Sequence, residues 1–473
     1  MPEAAEARTL GELRASGYRV LPIREELRRN LVAKLEASED LFPGIYGFED
    51  SVIPQMENAI LSGQDMILLG ERGQAKSRLV RELVSLLDPL VPTLTGCEIN
   101  DNPFAPICAR CRELVDREGD EAPIAWLAPD HRYGEKLSTP DITIADLIGE
   151  VDPIKVAEGR YLSDELTIHY GLIPRTNRGI FCINELPDLA ERIQVGLLNI
   201  MEERDVQIRG YRVRLSLDVY IVATANPEDY TNRGRIITPL KDRYGAQIRT
   251  HYPKSIDLEI EIMDAESTVY RDGDYSVAIP GYMKEIVAEF TSLARRSADI
   301  NQRSGVSVRV SIANVETLMS NAIRRGIRLK ERQVAPRVSD LPYMFASTSG
   351  KIELETLEDG REDRIVEKLI QNAVLNVFNR HFKVVDFKEL LDDFSAGLTV
   401  ETSDSISLAE YHRHQRETHG LAEAIRKLGA EENRATVASA LEFILEGLHL
   451  NKKLNKQKLQ GKNQYRGYHD SVV

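Results

Sequence analysis

The chain is 473 residues long, with 75 acidic against 61 basic side chains and a net charge of −14. That length suits two or three domains, each with its own core. The acidic balance argues against a general nucleic-acid binder and against a basic membrane-surface protein. No run of 18 apolar residues occurs and the first residues are acidic rather than basic-then-apolar, so a cytoplasmic protein is expected. Four cysteines are too few for a disulfide framework and are read one by one.

Residues 1–40 predict a helical N-terminal segment, with one amphipathic helix over 24–36 and no chemical motif. Phe42-Pro43-Gly44-Ile45-Tyr46-Gly47-Phe48-Glu49 is a short apolar loop, followed by a helix through Ile53, Met56, Ile60 and Leu61. Such a loop ahead of a phosphate-binding turn packs on an adenine ring, through Ile45 and Tyr46 here. Plain packing is the alternative.

The organising stretch comes next. Met66 to Leu69 reads as a buried parallel strand, and Leu79, Leu83, Leu86 and Leu87 as a helix that Pro89 ends. Between them lie Gly70, Gly73, Gln74, Ala75, Lys76, Ser77 and Arg78. Strand, glycine turn and Lys-Ser opening a helix are the parts of a phosphate loop: backbone N–H groups surround the phosphates, Lys76 pairs with them, and the Ser77 hydroxyl ligates Mg²⁺. Against Gly-x-x-x-x-Gly-Lys-Ser/Thr, Ala75 stands where the second glycine belongs. It is tolerable if its φ is negative.

Residues 97–170 read as a long polar insertion with little periodicity, containing Cys97, Cys108-Ala109-Arg110-Cys111 and Asp130-His131-Arg132-Tyr133. Cys108-x-x-Cys111 is the spacing with which two thiolates grip one tetrahedral ion, and no thioredoxin-like βαβ unit surrounds it. Cys97 would be a third ligand of a structural zinc, with His131 the fourth and His169 in reserve. Three unrelated cysteines are the alternative.

Order returns with Gly179-Ile180-Phe181-Cys182-Ile183-Asn184-Glu185, an apolar strand with polar groups at its carboxyl end, where open α/β sheets place ligands; Cys182 is core. A helix over 188–203 follows, then a hairpin in which Val206, Ile208, Val213 and Leu215 alternate around Gly210-Tyr211, and a third strand over 217–225 ending in Asn226-Pro227. Leu240-Lys241-Asp242-Arg243-Tyr244 comes next. From 255 the pattern is helical, over 283–296, 310–324 and 362–382, with an acidic loop at 353–363 between subdomains. A last helix, 436–450, runs into a basic tail (Lys452, Lys453, Lys456, Lys458, Lys462, Arg466) expected to be a solvated end; docking to an acidic partner is the alternative.

Lys76-Ser77, Asn184-Glu185 and Asn226 thus end three strands. ATP hydrolysis needs phosphate neutralisation, Mg²⁺, a carboxylate that polarises water and a polar group that orients it. Glu185 fits the water-activating carboxylate and Asn226 the orienting amide. The fold expected is α/β: a P-loop NTPase parallel sheet flanked by helices over 41–254, then a helical lid over 255–350 and a helical extension over 351–473.

On these marks the chain resembles the AAA+ ATPases of the helix-2-insert branch, specifically the magnesium-chelatase I subunit and MoxR-type proteins, over residues 42–344. The marks are the phosphate loop, Asn177-Arg178-Gly179-Ile180 leading to Asn184-Glu185, the hairpin at 205–215, Ala223-Thr224-Ala225-Asn226-Pro227-Glu228, and Asp242-Arg243-Tyr244. The resemblance implies ATP and Mg²⁺ as cofactors and a homo-oligomeric, hexameric ring. It makes Arg243 an inter-subunit finger, with Arg233 and Arg235 as substitutes and a solvated arginine ending a helix as the alternative, and Arg309 the lid's sensor arginine. It also implies a partner with a von Willebrand A domain, or adaptors delivering a metal or cofactor to a client. Asn184 stands where the family has aspartate, and a neutral acceptor for a Mg²⁺-bound water weakens that bond by about 1 kcal/mol, about fivefold. The Gly-Ala-Phe-Thr-Gly-Ala loop of bacterial enhancer-binding activators is missing. A nucleotide-gated scaffold with little turnover, or the motor subunit of a metal chelatase, remain the alternatives.

Overall fold

A computed structural model describes residues 7–151, 165–202, 205–207, 214–226, 235–268, 275–302, 304–355, 361–431, 433–459 and 461–468. The chain divides into two compact units, Met1–His251 and Tyr252–Val473.

The first unit is built on a parallel sheet of β1 (Met66–Leu69), β2 (Tyr133–Leu137), β3 (Gly179–Asn184), β4 (Val219–Ala225) and β5 (Ala246–Arg249). Their spatial order is β5-β1-β4-β3-β2 and every pairing is parallel. The central strands are near-continuous apolar runs because helices cover both faces. Alternate residues divide between two cores. Ile67, Phe181, Ile183, Ile221 and Ala223 face one, while Met66, Leu68, Ile180, Cys182, Tyr220, Val222 and Ile248 face the other. Leu69 lies opposite both Ala225 and Arg249, and Leu137 opposite Asn184, so the carboxyl ends form one rim.

The 97–170 segment is not one insertion. It contributes β2 to the central sheet, a helix Ala109–Glu118, and the strand Ile124–Leu127, which pairs antiparallel with Val91–Leu94. The N-terminal residues are part of the unit as well. Leu10 and Leu13 join one core, and the helix Ile23–Glu36 sends Ile23, Leu27 and Leu31 into the other. Glu26 on that helix is buried against Arg132, which donates to both its carboxylate oxygens at 2.7 Å and to the Arg178 carbonyl at 2.8 Å. Asp205–Gln207 and Arg214–Ser216 pair antiparallel as the expected hairpin; its tip, with Ile208, Gly210, Tyr211 and Val213, lies outside the described residues.

In the second unit the helices Gly281–Ala294, Val308–Leu329, Arg361–His381 and Arg434–Leu450 share one apolar core. Phe290, Leu318, Met344, Phe378 and Phe443 are all in it, so residues 255–350 and 351–473 pack as one body. The basic tail is not a loose end. Asn455–Leu459 and Lys462–Arg466 form an antiparallel sheet with Thr399–Thr402, and Tyr465 is buried with its hydroxyl donating to Glu446. Lys456 pairs with Glu446 at 2.7 Å and Lys462 with Glu401 at 3.0 Å, so two of the tail's cations are neutralised within the unit. No described helix is long and apolar enough to cross a membrane.

Candidate nucleotide site

The turn after β1 is held by its neighbours before any ligand arrives. The Gly70 N–H donates to the Ala225 carbonyl at 3.1 Å, and the Thr250 N–H to the Leu69 carbonyl at 2.8 Å. The Gln74 side-chain oxygen accepts from the Glu71 N–H at 3.1 Å and from the Thr250 hydroxyl at 2.7 Å. Gln74 therefore braces the loop with its side chain. Gly70 has to be glycine, since a Cβ there would lie 1.8 Å from the Thr250 hydroxyl oxygen. The Lys76 ammonium, itself buried, donates to the Gly70 and Glu71 carbonyls at 2.5 and 2.8 Å. Ser77 is exposed one residue further on, in the first turn of the helix Lys76–Glu82.

Ala75 departs from the expectation of a negative φ: it sits at φ 53°, ψ 14°, in the left-handed region. Its methyl group is crowded there, at a cost of about 1–2 kcal/mol for an L-residue. Ala75→Gly removes that strain and adds unfolded-state freedom worth about 0.4–1 kcal/mol, so a net gain of about 0–1.6 kcal/mol is expected in denaturant unfolding. A loss of stability would contradict the strained assignment.

Ile45 is buried in the core beside this loop, Tyr46 is exposed, and the Arg78 guanidinium lies over Gly44 (2.9 Å from a would-be Cβ), so the adenine candidates flank the phosphate loop.

Across the sheet, Asn184 and Glu185 end β3. Glu185 takes a left-handed turn (φ 55°), and its N–H donates to the Thr224 hydroxyl at 3.1 Å. The same hydroxyl donates to Asn184 Oδ1 at 3.2 Å, so Thr224 of β4 fixes both residues. Asn226 follows β4 and is buried. The strand order puts β4, carrying Asn226, between β1 and β3, which brings Lys76, Asn226 and Glu185 to adjacent strand ends.

Glu135 belongs to no motif legible in the sequence. It lies on the edge strand β2 and accepts a hydrogen bond from Asn184 Nδ2. Arg81, one turn beyond Ser77 on the phosphate-loop helix, donates to it through Nε at 2.8 Å and Nη2 at 2.9 Å. The Arg81 bonds are the main reason its pKa falls below the usual carboxylate range, with the Tyr133 hydroxyl and Asn184 adding to the effect. Asn184 is thus an amide for a visible reason. An aspartate there would face the Glu135 carboxylate, whereas an amide donates to it. A carboxylate is present beside position 184, supplied by the neighbouring strand.

The remaining candidates are dispersed. Arg243 ends the helix Thr238–Arg243 and is held by Glu202, with Nε at 3.0 Å, and by the Pro239 carbonyl at 2.7 Å. Arg235 is exposed and pairs with Glu191 at 3.3 Å, and Arg233 lies outside the described residues. Arg309 is exposed in the first turn of Val308–Leu329, in the second unit. Cys97, Cys108 and Cys111 do come together, but the donor that joins them is Asp101. Neither His131 nor His169 belongs to the group, and both are exposed. Cys182 is buried in the sheet as expected.

A parallel sheet ordered β5-β1-β4-β3-β2, with a phosphate loop after β1 and Asn-Glu after β3, is decisive for the fold. The first unit is an AAA+ fold.

The Sigma-54 interaction domain family matches residues 158–240, which include β3 and β4 of this AAA+ sheet. No curated protein matches the chain by sequence. Among solved structures it is similar to a model of the BchI–BchD complex of magnesium chelatase, at 17% identity over 75% of this chain and 100% of that one, with a TM-score of 0.32. It is also similar to NtrX from Brucella abortus in complex with ADP, at 14% identity over 77% and 68%, TM-score 0.37. A Cytophaga hutchinsonii protein provisionally assigned as an ATPase is 14% identical over 76% and 98%, TM-score 0.30.

Proposed function

We propose that the chain is a Mg²⁺-dependent ATPase that works as a ring, taken as a hexamer, and uses hydrolysis to remodel or activate a partner protein. The observation that supports this most is the placement of Lys76, Asn226 and Glu185 at the ends of adjacent strands around a braced phosphate loop. The backbone of 73–77 and the Lys76 ammonium would hold the β- and γ-phosphates. Ser77, with Asn184 and Glu135 behind it, would hold the metal and its water shell. Magnesium bound there supplies charge neutralisation at the phosphates. Glu185 takes a proton from the attacking water, and the Asn226 amide orients that water.

Glu135 gives this reading a specific test. Glu135→Gln removes the only acidic group seen bonded to Asn184 among the described residues and should raise the Mg²⁺ concentration for half-maximal rate about fivefold. Glu135→Gln/Asn184→Asp returns one carboxylate to the pair and should recover most of that loss. Recovery failing while the double variant binds nucleotide normally would remove Glu135 from the metal's surroundings.

Arg243 would act across a subunit interface after exchanging Glu202 for the neighbour's γ-phosphate. Mixing Arg243→Ala with Lys76→Ala subunits should then restore part of the activity, because one interface type is wild type on both sides. No recovery in verified mixed oligomers counts against sharing. Arg309 is assigned as the lid's sensor arginine. A partner with a von Willebrand A domain is what the resemblance to MoxR-type proteins implies. Capture with Glu185→Gln, which holds ATP, tests for it. Sigma-54 activation is not carried over, because the Gly-Ala-Phe-Thr-Gly-Ala loop is missing.

A nucleotide-gated assembly scaffold is the second reading, favoured by Ala75 in a strained conformation and by an amide at 184. Turnover separates the two. Service as the motor of a metal chelatase is a narrower form of the first reading, with another chain doing the chelation.

A further inference from the structure

Asp101 is fully buried, and among the described residues its Oδ1 has no hydrogen-bond partner, although Oδ2 accepts from the Cys108 N–H at 3.0 Å. Leaving one oxygen of a buried carboxylate unsatisfied costs about 1–3 kcal/mol or more, so something absent from the protein's own atoms is expected to meet it. What surrounds it is sulfur. A carboxylate oxygen of Asp101 and the thiols of Cys97, Cys108 and Cys111 all lie within 4.8 Å of one another, and all of these cysteines are free.

The backbone around them is already arranged for ligation. Cys108 caps the helix Ala109–Glu118 and Cys111 lies in its first turn, so both thiols sit at the end of the helix that favours negative charge. The Cys111 N–H donates to Cys108 Sγ at 3.4 Å and the Asp101 N–H to Cys97 Sγ at 3.3 Å. Such N–H···S bonds orient and stabilise thiolate ligands from outside the coordination sphere. Asp101 is held in turn by its carbonyl, which accepts from the Thr93 hydroxyl at 3.1 Å and from Arg178 at 3.2 Å. Cys108 and Cys111 are buried in the same apolar core as Ile99, Ile124, Ile148 and Tyr170, while Cys97 is half-buried at its margin.

We infer that Cys97, Asp101, Cys108 and Cys111 bind one Zn²⁺ as a structural site. Three sulfurs and one oxygen suit a borderline-soft tetrahedral ion. They do not suit Mg²⁺ or Ca²⁺, which take oxygen donors. With Zn–S near 2.3 Å the sulfurs would stand about 3.8 Å apart, a small contraction of the present group. Four protein ligands leave no open position, so the ion does no chemistry of its own. It is a staple. Asn177 donates to the Ile99 carbonyl at 3.1 Å and Arg178 to the Pro92 carbonyl at 2.7 Å, which ties the stapled segment to the start of β3. Asn184 and Glu185 stand at the other end of that strand, so the zinc site is independent of the ATPase reading and survives its failure.

The test is metal content of the full chain, purified without a metal-affinity tag. One zinc per chain is expected. Replacement by Co²⁺ should give intense tetrahedral visible bands and sulfur-to-metal charge transfer. Asp101→Ala should weaken metal binding at least about tenfold, while His131→Ala leaves it unchanged. Cys108→Ser/Cys111→Ser should lose the ion. A folded, zinc-free wild type that takes up no Co²⁺ and whose three thiols all react with a thiol reagent would overturn the site; so would a Cys108–Cys111 disulfide in freshly purified protein. Since these wild-type readouts need no variant to fold, poor expression of the substitutions does not shield the inference.

Discussion

Glu185→Gln should keep ATP bound and slow its hydrolysis about 10²–10⁴-fold, the usual contribution of a positioned general base. The residue's place on the rim is set by its backbone. A non-glycine residue in the left-handed region persists only where its surroundings hold it, and here the Thr224 hydroxyl takes the Glu185 N–H. Glutamine matches glutamate in shape and leaves this turn intact, but it cannot accept the proton of the attacking water. Binding and turnover should therefore separate, with nucleotide affinity unchanged within about twofold and kcat carrying the whole loss. Lys76→Ala should fail earlier, at binding, because it removes the cation proposed to hold the phosphates. A Glu185→Gln protein that hydrolyses ATP at the wild-type rate assigns the base elsewhere.

Arg132→Ala should destabilise the first unit by about 3–5 kcal/mol, the range for breaking one side of a buried ion pair. Arg132 and Glu26 have side-chain exposures of 1% and 4%, so removing the guanidinium leaves a carboxylate with little access to water. Glu26 also accepts from the Asp88 N–H at 2.7 Å, and Arg132 also donates to the Arg178 carbonyl, which joins the N-terminal helix, the strand region before β2 and the approach to β3. Replacing both partners with apolar residues, Glu26→Leu/Arg132→Met, should recover most of the loss, since no charge is then stranded. Urea unfolding followed by a probe in the first unit reads both. A single-variant loss below about 1 kcal/mol would mean the pair is hydrated and its burial counts for little.

The sequence was most readable where physics acts on neighbours in the chain. β1, β3 and β4 are covered on both faces and therefore appear as unbroken apolar runs, and the phosphate loop is a local motif. β2 did not show itself. Tyr133-Gly134-Glu135-Lys136-Leu137 is an edge strand, half-exposed, with charges in its middle, and no period of two marks a buried face. Glu135 was hidden with it, since its link to Asn184 arises only when two strands far apart in sequence align side by side. The zinc candidates were half legible. Cysteine spacing named three of the four donors, but Asp101 is placed by its carbonyl's contact with Arg178, a long-range effect that favoured an unremarkable aspartate over His131. The basic tail misled for a related reason. Its lysines look like a solvated run until Glu446 and Glu401, from earlier elements, are brought beside them.

ATP hydrolysis is read most directly as steady-state phosphate release by the full chain, with and without Mg²⁺, beside Lys76→Ala. Release should require Mg²⁺ and be absent from Lys76→Ala. Release no greater than that of Lys76→Ala at saturating ATP and Mg²⁺ would contradict it and leave a nucleotide-binding scaffold in its place.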